Sequence, residues 1–176
     1  TSASPAVSPR PLTTLITPMK ALVPYMGVLL IEHDIDRVFA FSDSITVMNN
    51  GEVLVDGPPE MVRNHPKVQE VYLGSGLGAR IQTKDAAVPQ STRPILRLED
   101  VNTYYGKSHI LYDVSLQVRE KEVVALVGRN GAGKSSTFKS IMGLAPPRQG
   151  QIYFADQPIH GWPPEEVARL GIGLVP

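Results

Sequence analysis

The sequence predicts an α/β fold in which antiparallel strands lie beside a parallel core, and three observations carry that expectation. Two short apolar runs, residues 27–31 and 123–127, have strand length but lack the alternation of a half-exposed strand. That is the pattern of strands buried on both faces of a parallel sheet. The second run leads directly into a glycine-rich loop and then a helical stretch, the order from which parallel sheets are built. Between the two runs, Val114, Leu116 and Val118 alternate with polar residues, the period of a strand with one face in a core.

Composition bounds the class. A length of 176 residues allows one ordinary domain or pieces of two at about 100–200 residues per domain. Lys plus Arg and Asp plus Glu are 17 each, a net charge of zero, so no broad electrostatic footprint for nucleic acid or an anionic membrane is expected. With 42% hydrophobic and 19% charged residues there is enough apolar material for a core. The absence of cysteine excludes disulfides, zinc–thiolate sites and thiol catalysis. The longest strongly apolar run, residues 25–31, is far short of the roughly 20 residues that span a bilayer, and no signal-peptide pattern opens the chain. The first residue is Thr1 rather than Met, consistent with a processed or truncated start.

Five of the 16 prolines fall in the first 24 residues among Ser, Thr and Ala, and residues 1–25 read as a disordered lead-in. After the strand at 27–31, Asp34 stands as a helix cap before Ile35, Val38 and Phe39 at helical spacing. Asn49-Asn50-Gly51 separates strands at 44–48 and 52–56, since an Asn-Gly pair supplies the positive φ angles of a tight hairpin. Gly57-Pro58-Pro59 breaks the pattern, and two short helices follow at 60–64 and 67–73, separated by Pro66. Residues 74–94 have linker composition. A second unit opens with a strand from Ile95 through Leu96, Leu98 and Val101, and continues with a strand at 110–118, a polar turn at 119–122 and the apolar strand 123–127. A helix at 134–142 closed by Gly143, a strand at 151–154, a short helix from Pro163 to Leu170 and a last strand at 172–175 complete the expected elements.

The strongest chemical signal is Gly128-Arg129-Asn130-Gly131-Ala132-Gly133-Lys134-Ser135, which satisfies the phosphate-binding pattern Gly-x4-Gly-Lys-Ser. Gly128, Gly131 and Gly133 let the backbone curl so that N–H groups of the loop, with Asn130 and Ala132 among its candidate binding positions, face phosphate oxygens, while the following helix offers its positive end to the same anion. Lys134 supplies a cation for the β and γ phosphates, the Ser135 hydroxyl is a candidate Mg2+ ligand, and Ser136 extends the hydroxyl lining.

The flanks narrow the class. Leu98-Glu99-Asp100-Val101, Tyr104-Tyr105-Gly106, Leu111-Tyr112-Asp113-Val114-Ser115-Leu116 and Ile141-Met142-Gly143-Leu144 around the loop resemble the front half of an ABC transporter ATPase. The resemblance implies a P-loop NTPase fold, with ATP and Mg2+ as cofactors and Tyr105 stacking on adenine. Residues 28–34, followed by Ser42-Asp43, residues 45–48, Gly51-Glu52-Val53, Gly57 and residues 59–62, resemble the back half of the same family. There His33 corresponds to the switch histidine that senses γ-phosphate and positions water, whereas His65, His109 and His160 read as surface or packing residues. Wording such as Val71-Tyr72-Leu73-Gly74 and residues 171–176 is nearest to the branched-chain amino acid transporters.

The back-half pattern precedes the front-half pattern. The resemblance therefore implies an incomplete fold: residues 26–74 as the end of one ATPase domain, 75–94 as linker and 95–176 as the start of a second. Transmembrane permease subunits and a second ATPase domain are the implied partners, with a cytoplasmic, peripheral location on the inner face of the plasma membrane. Nucleic acid is not expected as a partner. No apolar strand ends in an Asp-Glu pair, and Gly74-Ser75-Gly76-Leu77 is a poor match to the family's signature, so little ATP turnover is expected of this chain by itself. A non-hydrolytic nucleotide-binding module, a truncated gene product and another phosphate-loop class such as a kinase or GTPase remain alternatives.

Overall fold

A computed structural model describes residues 26–32, 35–70 and 93–174. The expected lead-in 1–25, the cap Asp34, the helix end 71–73 and the linker as far as residue 92 lie outside the described residues. The first part contains β1 (Val28–Ile31), α1 (Ile35–Phe41), β2 (Ser44–Asn49), β3 (Glu52–Gly57), α2 (Pro59–Asn64) and α3 (Pro66–Val68). The second contains β4 (Pro94–Tyr105), β5 (Ser108–Arg119), β6 (Val123–Gly128), α4 (Lys134–Ile141), β7 (Gln149–Phe154), β8 (Gln157–Pro158) and α5 (Pro164–Arg169).

The two parts share one sheet, in the order β1-β6-β2-β3. β6 lies between two parallel neighbours, with Val28 opposite Val123 on one side and Ser44 opposite Val124 on the other. β3 closes the edge as the antiparallel arm of the hairpin. Its turn takes both positive angles that the Asn-Gly pair allows, φ 49° at Asn50 and 86° at Gly51. The second sheet is antiparallel, β5-β4-β7-β8; the two-residue β8 has too little pattern to be read from sequence.

The apolar run of β6 is buried along its whole length because its alternate side chains enter two cores. Val124 and Leu126 join Met48, Leu98, Val101, Leu111, Val114 and Ile152 between the sheets. Ala125 and Val127 join Ile45, Val47, Val38 and Phe39 of α1, Val62 of α2 and Val68 of α3 on the other face. Each fully buried aliphatic side chain of this kind contributes about 1.5–3 kcal/mol. The β6 entry is fixed by polar contacts from both neighbours. Val123 N–H donates to Asp43 Oδ2 at 2.8 Å, Asp43 N–H to Val123 O at 2.9 Å, and Val28 N–H to Glu122 O at 2.8 Å.

Helix α4 ends as its sequence anticipates. Gly143 (φ 71°) follows the last turn, with Gly143 N–H donating to Ser140 O and Leu144 N–H to Lys139 O, the paired bonds of a Schellman cap. One expectation is corrected. Residues 172–174 form no strand, because no described strand offers them a ladder; Ile172 packs half-buried on the inter-sheet core and Leu174 is exposed.

Candidate functional site

Parallel pairing brings the carboxyl ends of β1, β6 and β2 to one edge, where Ile31 lies opposite Leu126 and Met48 opposite Gly128. Clefts outside such strand ends are where ligands of open α/β sheets bind. The loop from β6 to α4 rises there, and its glycines serve different needs. A Cβ on Gly128 would lie 2.8 Å from both the Met48 carbonyl oxygen and the Ala132 side chain, so close packing demands glycine. Gly131 (φ 84°) has nothing within 4 Å of such a Cβ, so the loop's mouth is open and it is the left-handed turn that favours glycine there.

Lys134 begins α4 directly after Gly133 (φ 106°) and is 6% exposed. Its ammonium donates to the carbonyl oxygens of Gly128 at 2.6 Å and Arg129 at 3.0 Å, so the side chain folds back across its own loop. Burial lowers its pKa from the ordinary lysine value, since removal from water disfavours the charged form. An arriving phosphate would replace carbonyl dipoles with full negative charge. Ser135 is exposed and Ser136 half-buried on the first turn.

Tyr105 ends β4 with its ring 42% exposed, and its hydroxyl donates to Ser136 Oγ at 3.3 Å. Lys139 Nζ lies 5.8 Å from the ring centroid. An aromatic face is thus held within one side chain of the helix that begins at Lys134.

The floor beneath the loop comes from β2 and β3, and sequence reasoning missed it. Gly51 N–H donates to Ala132 O at 3.0 Å and Gly51 O accepts from Tyr112 N–H at 2.9 Å, tying the hairpin tip to the loop and to β5. Met48 lies fully buried beneath Gly133, its sulfur 3.5 Å from Thr137 Oγ1, whose proton goes to Gly133 O at 3.1 Å. The Asn-Gly turn was visible in the sequence; its contact with a loop 80 residues later has no local signal.

His33 lies outside the described residues. Of the other histidines, His109 is a packing residue between two tyrosine rings; His65 and His160 are half-buried, away from the loop. Among the described residues no group of three or more His, Cys, Asp or Glu could hold a metal ion. The donor set at the loop, one exposed hydroxyl on Ser135, fits a magnesium ion carried largely by phosphate oxygens and water. No helix among the described residues is long and apolar enough to cross a membrane.

Comparisons with known proteins agree in class. Residues 111–176 match the family model described as ABC transporter, and residues 52–77 match that of the branched-chain amino acid ATP-binding cassette transporters. The chain is similar to the hemin import ATP-binding protein HmuV of Thermobifida fusca, 40% identical over 108 residues, 61% of this chain and 37% of that protein. It is 38% identical over 82 residues to the high-affinity branched-chain amino acid transport ATP-binding protein BraG of Pseudomonas aeruginosa, 47% of this chain and 35% of that one. With the arabinose import ATP-binding protein AraG of Vibrio parahaemolyticus it shares 28% identity over 149 residues, 85% of this chain and 28% of that one. The chain spans about a third of the length of the curated relatives it matches.

Proposed function

We propose that this chain, whose residues 52–77 and 111–176 carry ABC transporter ATPase sequence, binds MgATP at the loop between β6 and α4 as part of a transport ATPase. The observation that carries the reading is Lys134, a buried ammonium that donates to two carbonyl oxygens of its own loop, at the carboxyl edge of three parallel strands. Backbone N–H groups of Gly131 and Gly133, in the loop that Asn130 and Ala132 complete, cradle the phosphates, while Ala132 N–H braces the turn by donating to Arg129 O at 3.0 Å. Lys134 turns outward to the β and γ phosphates, Ser135 gives its hydroxyl to Mg2+, and Ser136 lines the path toward Tyr105, whose exposed ring stacks on adenine. His33 follows β1, the parallel neighbour of β6, and takes the γ-phosphate-sensing role that its resemblance implies. Bound magnesium would screen phosphate charge at this edge.

The order of the parts reads as the end of one ATPase domain, 26–74, joined through 75–94 to the start of another, 95–176. The AraG similarity supports it. That similarity runs over 149 of the 176 residues and therefore takes in residues of both parts. Within the whole transporter, permease subunits and a second ATPase domain at the inner face of the plasma membrane complete the machine. The match of residues 52–77 favours branched-chain amino acids as the solute. The second reading, a non-hydrolytic nucleotide-binding module, is favoured by one feature: no apolar strand of this sequence ends in an Asp-Glu pair.

Titration of the full chain with MgATP, native and Lys134→Ala, tests the site. Loss of a charge-assisted contact of about 1.5–3 kcal/mol weakens binding roughly 10- to 150-fold; unchanged affinity in a folded sample overturns the assignment. Phosphate release measured alongside separates the hydrolytic from the non-hydrolytic reading.

A further inference from the structure

Tyr104, the strand neighbour of Tyr105, belongs to a stack of side chains that the proposed phosphate site does not use. The His109 and Tyr104 rings are parallel, with centroids 4.1 Å apart and planes within 7°. Tyr112 covers His109 at 3.9 Å, and the Arg148 guanidinium lies 4.6 Å from the Tyr104 centroid. Two groups so close to one ring centre need its opposite faces, so Tyr104 is sandwiched between His109 and Arg148. Within the stack His109 is anchored by Asn102, 6% exposed, whose Oδ1 is 2.9 Å from His109 Nε2. The outer end reaches the hairpin tip, where Arg148 Nη2 donates to the carbonyl oxygen of Gly106 at 2.5 Å. The Arg148 backbone is itself held, its N–H donating to Asn102 O at 2.8 Å.

We propose that Arg148 is a positioning residue for the nucleotide base: by clamping Gly106 and packing on Tyr104 it fixes the hairpin tip so that the Tyr105 ring stands ready to stack. Successive strand residues point to opposite faces. Tyr104 therefore takes the support and Tyr105 is left to face the ligand across Ser136 and Lys139. Without the clamp, the two-residue turn at Gly106 and Lys107 would let the ring sample orientations that do not stack, and a freely moving ring loses affinity to the ordering it must undergo on binding. A planar guanidinium supplies both the stacking face and the donor; a lysine ammonium replaces it only in part.

This inference rests on the reading of Tyr105 as the base platform, and the test separates the two. The full chain is titrated with MgATP and, in parallel, with magnesium tripolyphosphate, which has the phosphates and no base. Tyr105→Ala is expected to weaken MgATP about tenfold, within the range of base–aromatic stacking, and Arg148→Ala about three- to fivefold, both leaving tripolyphosphate affinity within twofold of native. Arg148→Lys is expected to fall between native and Arg148→Ala. If Tyr105→Ala weakens MgATP and Arg148→Ala does not, the positioning role is wrong and the base platform stands. If Arg148→Ala weakens both ligands equally, its role is general to the fold and the inference is overturned. If Tyr105→Ala leaves MgATP affinity unchanged, the base platform is wrong and the inference falls with it.

Discussion

Replacing Gly51 with alanine perturbs the hinge between hairpin and phosphate loop, and the structure sets the scale of the effect. The residue is buried with φ 86°, a conformation costing an L-residue roughly 1–2 kcal/mol. The added Cβ would also lie 2.2 Å from the Ile110 carbonyl oxygen and 2.8 Å from Tyr112 Cδ2. The first atom belongs to the backbone of β5 and cannot turn aside as a flexible side chain would, so β5 or the hairpin tip must shift. Overpacking of this kind costs typically about 1–3 kcal/mol, and the two effects together come to roughly 2–5 kcal/mol. For a chain of this size that lowers the melting temperature by about 5–20 °C. The bonds from Gly51 to Ala132 and Tyr112 stretch as the tip moves, so MgATP affinity falls as well. The control is Gly106→Ala, at φ 60° with nothing within 4 Å of its Cβ, which meets the backbone cost alone. Thermal unfolding of both variants decides the matter: if Gly51→Ala melts within about 2 °C of Gly106→Ala, the hairpin tip is not seated against β5 as described.

Two further outcomes follow from buried polar groups. Thr103 Oγ1 and Ser140 Oγ are 2.7 Å apart between β4 and α4, and Ser140 Oγ also donates to Ser136 O. With that donor committed, the Thr103 hydroxyl is the donor of the pair. Thr103→Val therefore removes one neutral bond, about 1 kcal/mol, whereas Ser140→Ala leaves the Thr103 hydroxyl buried and unpaired at about 1–3 kcal/mol; chemical denaturation of the two single variants and the double shows the order. Glu122 is 3% exposed, and burial raises its pKa above the ordinary 4.5 despite the Arg119 N–H bond and the Arg119 charge. The folded state thus holds this proton more tightly than the unfolded chain. Its contribution to stability is greatest below pH 4.5 and declines as pH rises through the raised value. Denaturation of Glu122→Gln between pH 4 and 8 should show a shallower decline with rising pH; an unchanged slope would place the titration elsewhere.

Much of the fold was legible because its signals are local. The Asn50-Gly51 turn, the Schellman cap at Gly143 and the alternation of Val114, Leu116 and Val118 each depend on a few neighbouring residues. The glycine-rich loop was legible for the same reason: the apolar strand, the glycines that bend the chain and the helix after them are neighbours in sequence. The expected strand at 172–175 failed in its described part because an apolar run becomes a strand only where a ladder receives it. The Arg148–Tyr104–His109–Tyr112 stack and the support beneath the loop were not legible, since their members meet through sheet pairing rather than through spacing.

By itself the sequence determined the strand–loop–helix and the hairpin, because turn chemistry, helix caps and apolar periodicity act over a few residues. Only the tertiary structure decided that β6 inserts between β1 and β2. A strand apolar on both faces must find two neighbours and two cores, but nothing in its own residues says which part of the chain supplies them. The same pairing seats Gly51 and Met48 under the phosphate loop, so the support of the site comes from residues that precede it by some 80 positions and share no motif with it.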